Sequence, residues 1–305
     1  MMCAGHDPLD ELKIALGEML PENGNAGFAV RWVSDCVEQL PAAERALLGR
    51  ASAKRQRTFS SGRAAARAAL TSLGHASVIV GRGDSGEPLW PDGIAGCISH
   101  TDELALAVAL PVALPVALPA ASPVDMRLDG RMRLAGSSDG DRGGEREGDR
   151  GGKTEGDLLS IGIDVEPVRP IEQGVWNMVA VESERAHPQA HLDWYRIALF
   201  SLKEAAYKAM FPLCRRFINF DELALTQPMQ FARVSPGAGR PPSNGGIPLY
   251  EEAELIWPLE AAFATASEQL AEELDNVALD AKALYWRGNM ISCVVARAEE
   301  SRHMS

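Results

Sequence analysis

Twenty-two consecutive residues without one apolar side chain, 136–157, cut this chain in two. The segment GSSDGDRGGEREGDRGGKTEGD holds eight glycines and eleven charged residues. It cannot bury enough surface to offset its ordering entropy, so residues 123–157 are expected to form a disordered insertion. Whatever core the protein has must come from residues 1–122 and 158–305. The GDRGGKT inside the segment imitates a phosphate-binding loop, but Glu147 stands where the first glycine belongs and no strand precedes it. A second Pro/Gly-rich loop is expected near 234–248.

The two remaining parts resemble each other. FSSGRAAARAAL begins at Phe59 and FSLKEAAYKAM at Phe200, an offset of 141, and Arg63 then falls opposite Glu204 and Arg67 opposite Lys208. Both are alanine-rich runs of good helix formers. Each is followed by a strand-like apolar run, CISHTDELALAVAL from Cys97 and MISCVVARA from Met290. The expectation is an α+β fold of two similar subdomains in a pseudo-twofold arrangement, with the active site in the cleft between them.

Net charge and cysteine usage narrow the partners. A formal charge of −12 excludes a global basic field for nucleic acid, so a polyanionic ligand must be held by a few placed cations or by a metal. Five scattered cysteines without a Cys-x-x-Cys pair, and an N-terminus with early acids and no apolar h-region, point to a reduced, cytoplasmic protein. Residues 104–121 carry no charge and imitate a membrane span, but Pro111, Pro115 and Pro119 obstruct a helix there. A buried strand running into a proline-rich turn is expected, and no membrane span.

Four short patterns could carry chemistry. In LLSIGIDVEPV, 158–168, strand alternation puts Ile161, Ile163 and Val165 on one face and Gly162, Asp164 and Glu166 on the other. Two carboxylates on one strand face can grip a hard cation such as Mg²⁺; the plainer alternative is a strand end with two solvated acids. In FSLKEAAYKAM, Glu204 and Lys208 share a helix face, as a surface ion pair or as a metal or proton ligand beside a phosphate-binding cation. Ser99 and His100 stand at the mouth of an apolar run. Arg55, Arg57 and Arg63 open a helix, where guanidinium forks suit phosphate, or else form a solvated basic face.

Taken together and in order, these patterns resemble the 4′-phosphopantetheinyl transferases, in particular the Sfp-type branch that is similar to enterobactin synthase component D. The family's arginine-bearing helix, W-P-x-G-x-x-G-S-I-S-H element, G-I-D-V-E and F-S-x-K-E-x-x-Y-K appear here as FSSGRAAARAAL from Phe59, EPLWPDGIAGCISHT from Glu87, IGIDVEPV from Ile161 and LFSLKEAAYKAMFP from Leu199. Cys97 stands for a usual serine and Leu202 for a usual alanine.

The resemblance implies that Asp164, Glu166 and Glu204 hold Mg²⁺, that Lys208 contacts the coenzyme A phosphates, and that Ser99 and His100 flank the pyrophosphate. It also implies that Arg63 and Arg55 hold the nucleotide end. The expected reaction is attack by a serine of an apo acyl or peptidyl carrier protein on coenzyme A, releasing 3′,5′-ADP in siderophore, non-ribosomal peptide or polyketide biosynthesis. Glu204, Lys208 and His100 are the expected catalytic groups. A monomer could build the whole cleft, and Met210, Phe211, Leu213, Arg215 and Arg216 are the expected carrier-docking surface. Another metal-dependent phosphotransferase or phosphohydrolase, or a coenzyme A-binding scaffold, are the competing readings.

Overall fold

The computed structural model describes residues 7–21, 25–112, 157–227, 229–231 and 257–298. The glycine- and charge-rich segment, the proline repeats at 115 and 119 and the loop at 234–248 lie outside them. The first part of the chain comprises α1 (Pro8–Met19), β1 (Gly27–Trp32), α2 (Ala42–Ala46), α3 (Ala53–Ser72), β2 (Gly81–Arg82), β3 (Pro88–Leu89), β4 (Ile94–His100) and β5 (Leu104–Pro111). The second comprises β6 (Leu158–Pro167), α4 (Gln173–Val179), α5 (Glu182–Arg185), α6 (Asp193–Cys214), β7 (Leu223–Leu225), β8 (Gln230–Phe231), β9 (Trp257–Thr265), α7 (Glu268–Glu273), β10 (Val277–Trp286) and β11 (Asn289–Ala298). The architecture is α+β.

The uncharged run from Leu104 is a buried strand, as its prolines require, and no described helix is long and apolar enough to cross a membrane. The run from Cys97, expected as one strand, is a hairpin instead. Thr101 Oγ1 accepts from the amides of Glu103 and Leu104 at 3.1 and 3.0 Å, and this polar turn separates β4 from β5.

Both parts share one topology. In the first, β1 leads to the long helix α3 and the later hairpin returns its last strand to the middle, giving the order β1-β5-β4. In the second, β6 leads to α6 and the order begins β6-β11-β10, extended by β9, β7 and β8. All these pairings are antiparallel. An offset of 141 brings the ends of α3 and α6 within one residue of each other. Each long helix lies directly on the opening strand of its part. A Cβ on Gly27 would stand 2.1 Å from Ala69 O, and one on Gly162 would stand 1.9 Å from Ala205 O, so only glycine permits either approach.

Each part also has a buried glutamate anchoring its long helix. Glu44 takes Arg67 of α3 and the Val80 amide; Glu184 takes Lys203 of α6 and the Leu225 amide. Lys203 is fully buried, with Nζ also donating to Val179 O and Phe220 O, so every proton of the ammonium is used. The cores are not separate. Besides clusters under α3 and α6, a central one joins α1, β1 and β5 to β6, β10 and β11. Four β5 residues and three of β6 are buried in it, each worth roughly 1.5–3 kcal/mol. Their sum, roughly 10–20 kcal/mol, is comparable to the ~5–15 kcal/mol net stability of an ordinary domain, so this shared cluster is a large part of what holds the fold.

Candidate active site

The alternation read along β6 is realised. Ile161, Ile163 and Val165 enter the central core, while Gly162 and Asp164 face α6. Asp164 is 3% exposed and lies where the two parts meet. Its Oδ1 accepts from Lys208 Nζ of α6 at 2.6 Å and from Ser99 Oγ of β4 at 3.0 Å. Ser99 Oγ in turn accepts from the Val165 amide at 3.2 Å, so β4 is stitched to β6 at this aspartate. Lys208 Nζ also donates to Ile163 O at 3.3 Å and lies 3.4 Å from Ser99 Oγ. Cys97 fits the buried strand as a small thiol donating to Ile163 O, and Leu202 is on the buried face of α6.

The charges here are strongly coupled. Burial opposes the Lys208 ammonium, but the Asp164 carboxylate outweighs it and holds the amine charged well above its usual range. Glu166 is pushed up to about 7, by burial first and by Asp164 second. Glu204 is raised by burial, with Lys208 pulling it down and Asp164 pushing it up. The three acids expected to enclose a metal thus sense one another. Among the described residues, however, no three His, Cys, Asp or Glu side chains are gathered closely enough to enclose an ion. The Lys208 ammonium instead occupies Asp164 Oδ1. Asp164 Oδ2 is buried without a hydrogen-bond partner among the described residues.

A cationic recess of about 130 Å³ opens beside this centre, lined by Arg55, Phe59, Arg63, Arg82, Ile98 and His100 among others. Arg55, Phe59 and Arg63 are spaced four apart on α3, so both guanidiniums lie over the Phe59 ring, at 5.6 and 5.0 Å. Arg63 is 4% exposed, its Nη2 donates to Gly81 O, and its buried Nη1 lacks a partner among the described residues. Burial lowers its pKa to about 10, which leaves it charged at neutral pH and short of an anion. Arg55 Nη1 lies 3.1 Å from His100 Nε2; burial and then Arg55 lower the histidine pKa, so the ring accepts that bond as neutral imidazole.

Arg82 was not singled out by sequence reasoning. Its signal is weak, one cation in the glycine-rich turn GRGDSGEP, where Gly86 at φ +92° carries the chain past the guanidinium. Arg57, on the same helix, is exposed and does not line the recess.

A larger cleft of about 630 Å³ shares Gly86, Pro88 and Ile98 with the recess. It runs between the 85–98 segment and α6, over Trp90, Tyr207, Lys208, Phe211 and Leu213. Two residues of the expected carrier-docking surface are misplaced. Met210 is fully buried, and Arg216 is committed to Glu222 and Glu273 at 2.7–3.0 Å. Met210 is on the face of α6 that packs into the core beneath it. Phe211, Leu213 and Arg215 do line the cleft mouth.

Known proteins carry the same patterns. Residues 43–110 match the family model of the 4′-phosphopantetheinyl transferase N-terminal domain, and residues 160–238 that of the 4′-phosphopantetheinyl transferase superfamily. The chain is 30% identical over 222 residues to the 4′-phosphopantetheinyl transferase Npt of Nocardia iowensis, covering 68% of this chain and 79% of that protein. It is 33% identical to PptT of Mycobacterium tuberculosis over 60% of this chain and 63% of the relative. With Svp of Streptomyces mobaraensis the identity is 31%, over 67% and 65% respectively. The two matched regions hold the cationic recess and Ser99 on one side, and Asp164, Glu204 and Lys208 on the other. This chain belongs to the 4′-phosphopantetheinyl transferase superfamily.

Proposed function

We propose that this protein is a Mg²⁺-dependent holo-[carrier-protein] synthase, which transfers the 4′-phosphopantetheine arm of coenzyme A to a serine of an apo acyl or peptidyl carrier and releases 3′,5′-ADP. The carriers would belong to siderophore, non-ribosomal peptide or polyketide synthesis. One observation carries the reading. The polarity of the groove suits coenzyme A, with an arginine recess continuing into a mostly apolar cleft whose wall includes Lys208. Arg63 and Arg55 would hold the nucleotide phosphates, with Arg82 beside them, and the cleft would take the pantetheine arm.

Asp164, Glu166 and Glu204 are the residues that would hold magnesium. The buried, unpartnered Oδ2 of Asp164 and the proton retained by Glu166 up to about pH 7 are what oxygen donors short of a cation should display. Magnesium, when bound, supplies charge neutralisation at the pyrophosphate. The remaining work falls to the chain. Lys208 and His100 stabilise the leaving phosphate, and Ser99 keeps Asp164 and Lys208 in place. Glu204, its pKa raised by burial, takes the proton from the carrier serine as that oxygen bonds to phosphorus. The bond from phosphorus to the bridging oxygen breaks, and the electron pair leaves on 3′,5′-ADP.

The test is mass spectrometry of an apo carrier incubated with coenzyme A and Mg²⁺. Wild-type protein should add one phosphopantetheine group, and Asp164→Ala should add none while remaining folded by circular dichroism. Hydrolysis of coenzyme A without carrier loading would overturn the reading, as would full activity in the variant.

A further inference from the structure

The two oxygens of Asp164 have unlike surroundings. Oδ1 is held from β4 and α6 by Ser99 and Lys208, whereas Oδ2 is buried without a partner among the described residues. Directly across from Asp164, in register on β11, stands Ser292. Its hydroxyl is also buried and also lacks a partner among the described residues. Opposed residues of an antiparallel pair point to the same face, with Cβ atoms about 4.5–5.5 Å apart, so a seryl hydroxyl can reach a carboxylate. An ionised carboxylate only accepts and a hydroxyl can donate, so the two unmet groups are complementary. Buried polar groups are rarely left unsatisfied, and a serine rotates among three staggered positions at little cost.

We propose that Ser292 is a positioning residue for Asp164: rotated about its Cα–Cβ bond, its hydroxyl donates to one lone pair of Oδ2 and leaves the other to a cation. Ser99 and Ser292 then clamp one carboxylate from the two strands that flank β6. The clamp fixes the carboxylate plane while Lys208 turns from Oδ1 towards a phosphate. This inference rests on the proposed role of Asp164 as a cation ligand.

Calorimetric titration with Mn²⁺, without coenzyme A or carrier, tests it. Ser292→Ala should weaken Mn²⁺ binding about tenfold, as loss of a partner behind a metal ligand commonly does, and Ser292→Thr, which keeps the hydroxyl, should bind like wild type. The Mg²⁺ concentration giving half-maximal turnover should rise by the same factor, with KM for coenzyme A at saturating Mg²⁺ unchanged. Should Ser292→Ala fail to fold, Ser292→Cys, a weak donor of similar shape, should show a smaller loss. Binding by Ser292→Ala within twofold of wild type overturns the inference alone, as does an equal loss in Ser292→Thr. A loss seen in Ser201→Ala of α6, whose hydroxyl is also buried and unmet, but not in Ser292→Ala, assigns the role to the helix instead. Wild-type protein that binds no Mn²⁺, or Asp164→Ala that binds it equally, overturns both this inference and the functional reading.

Discussion

Lys208 pairs with one anion and faces the groove proposed to take another. Its ammonium is 2.6 Å from Asp164 Oδ1, yet 26% of the side chain is exposed to the groove where a phosphate would lie. Removing it leaves the 3%-exposed Asp164 short of its cation, a loss that typically costs about 3–5 kcal/mol. Lys208→Ala should therefore lower stability to urea in metal-free buffer and reduce carrier loading at least ~100-fold. Lys208→Arg should rescue neither, because a planar fork cannot replace a compact donor shared among Asp164, Ile163 and Ser99. Full rescue by arginine would count against a geometric role. Strand alternation and motif order select Asp164, Ser99 and Lys208 for one site, but they pair Lys208 with Glu204 or a phosphate rather than with Asp164. Arg82 and Ser292 could not be foreseen, since their meaning lies in a turn and in a cross-strand register that no local pattern encodes.

Between elements, ion pairs do what side-chain periodicity cannot announce. Arg216 follows the left-handed cap of α6 at Arg215 and binds Glu222 and Glu273, tying that helix to the start of β7 and to α7. The arginine hydrogen bond holds the Glu222 carboxyl down at about 2. A carboxylate with a depressed folded pKa stabilises the fold above its unfolded value, near 4.3, and loses that contribution as pH falls towards 2. Glu222→Gln should lower stability by about 1 kcal/mol at pH 7 and flatten the decline between pH 5 and 2, as read from urea midpoints. An unaltered acid limb would mean the network contributes nothing. The long helices were readable from alanine content and their 141-residue offset, and β6 from its alternation. The hairpin at Thr101 was missed because CISHTDELALAVAL reads as a single strand, although Ser99 to Glu103 form a polar break in it.

Across the molecule, duplicated topology and shared core pull in opposite directions. Two similar subdomains, 1–122 and 158–305, packed on a cleft were expected, and helix-on-strand arrangements recur along the chain. The cores are joined, because β5 and β6 bury their apolar faces in one cluster. Fragments 1–122 and 158–305, made separately, should unfold without a sharp transition, and mixing them should restore cooperative melting and carrier loading. Cooperative unfolding of either fragment alone would refute the shared-core argument. The sequence hid this because a buried strand face looks the same whichever neighbour covers it.

The stitch between Ser99, Asp164 and the Val165 amide sits at the very centre of the candidate chemistry. A clamshell that opened along this line would tear its own machinery apart each cycle. Cargo would instead reach it through the cleft mouth edged by the 85–90 loop and the last turn of α6, with the stitch left closed.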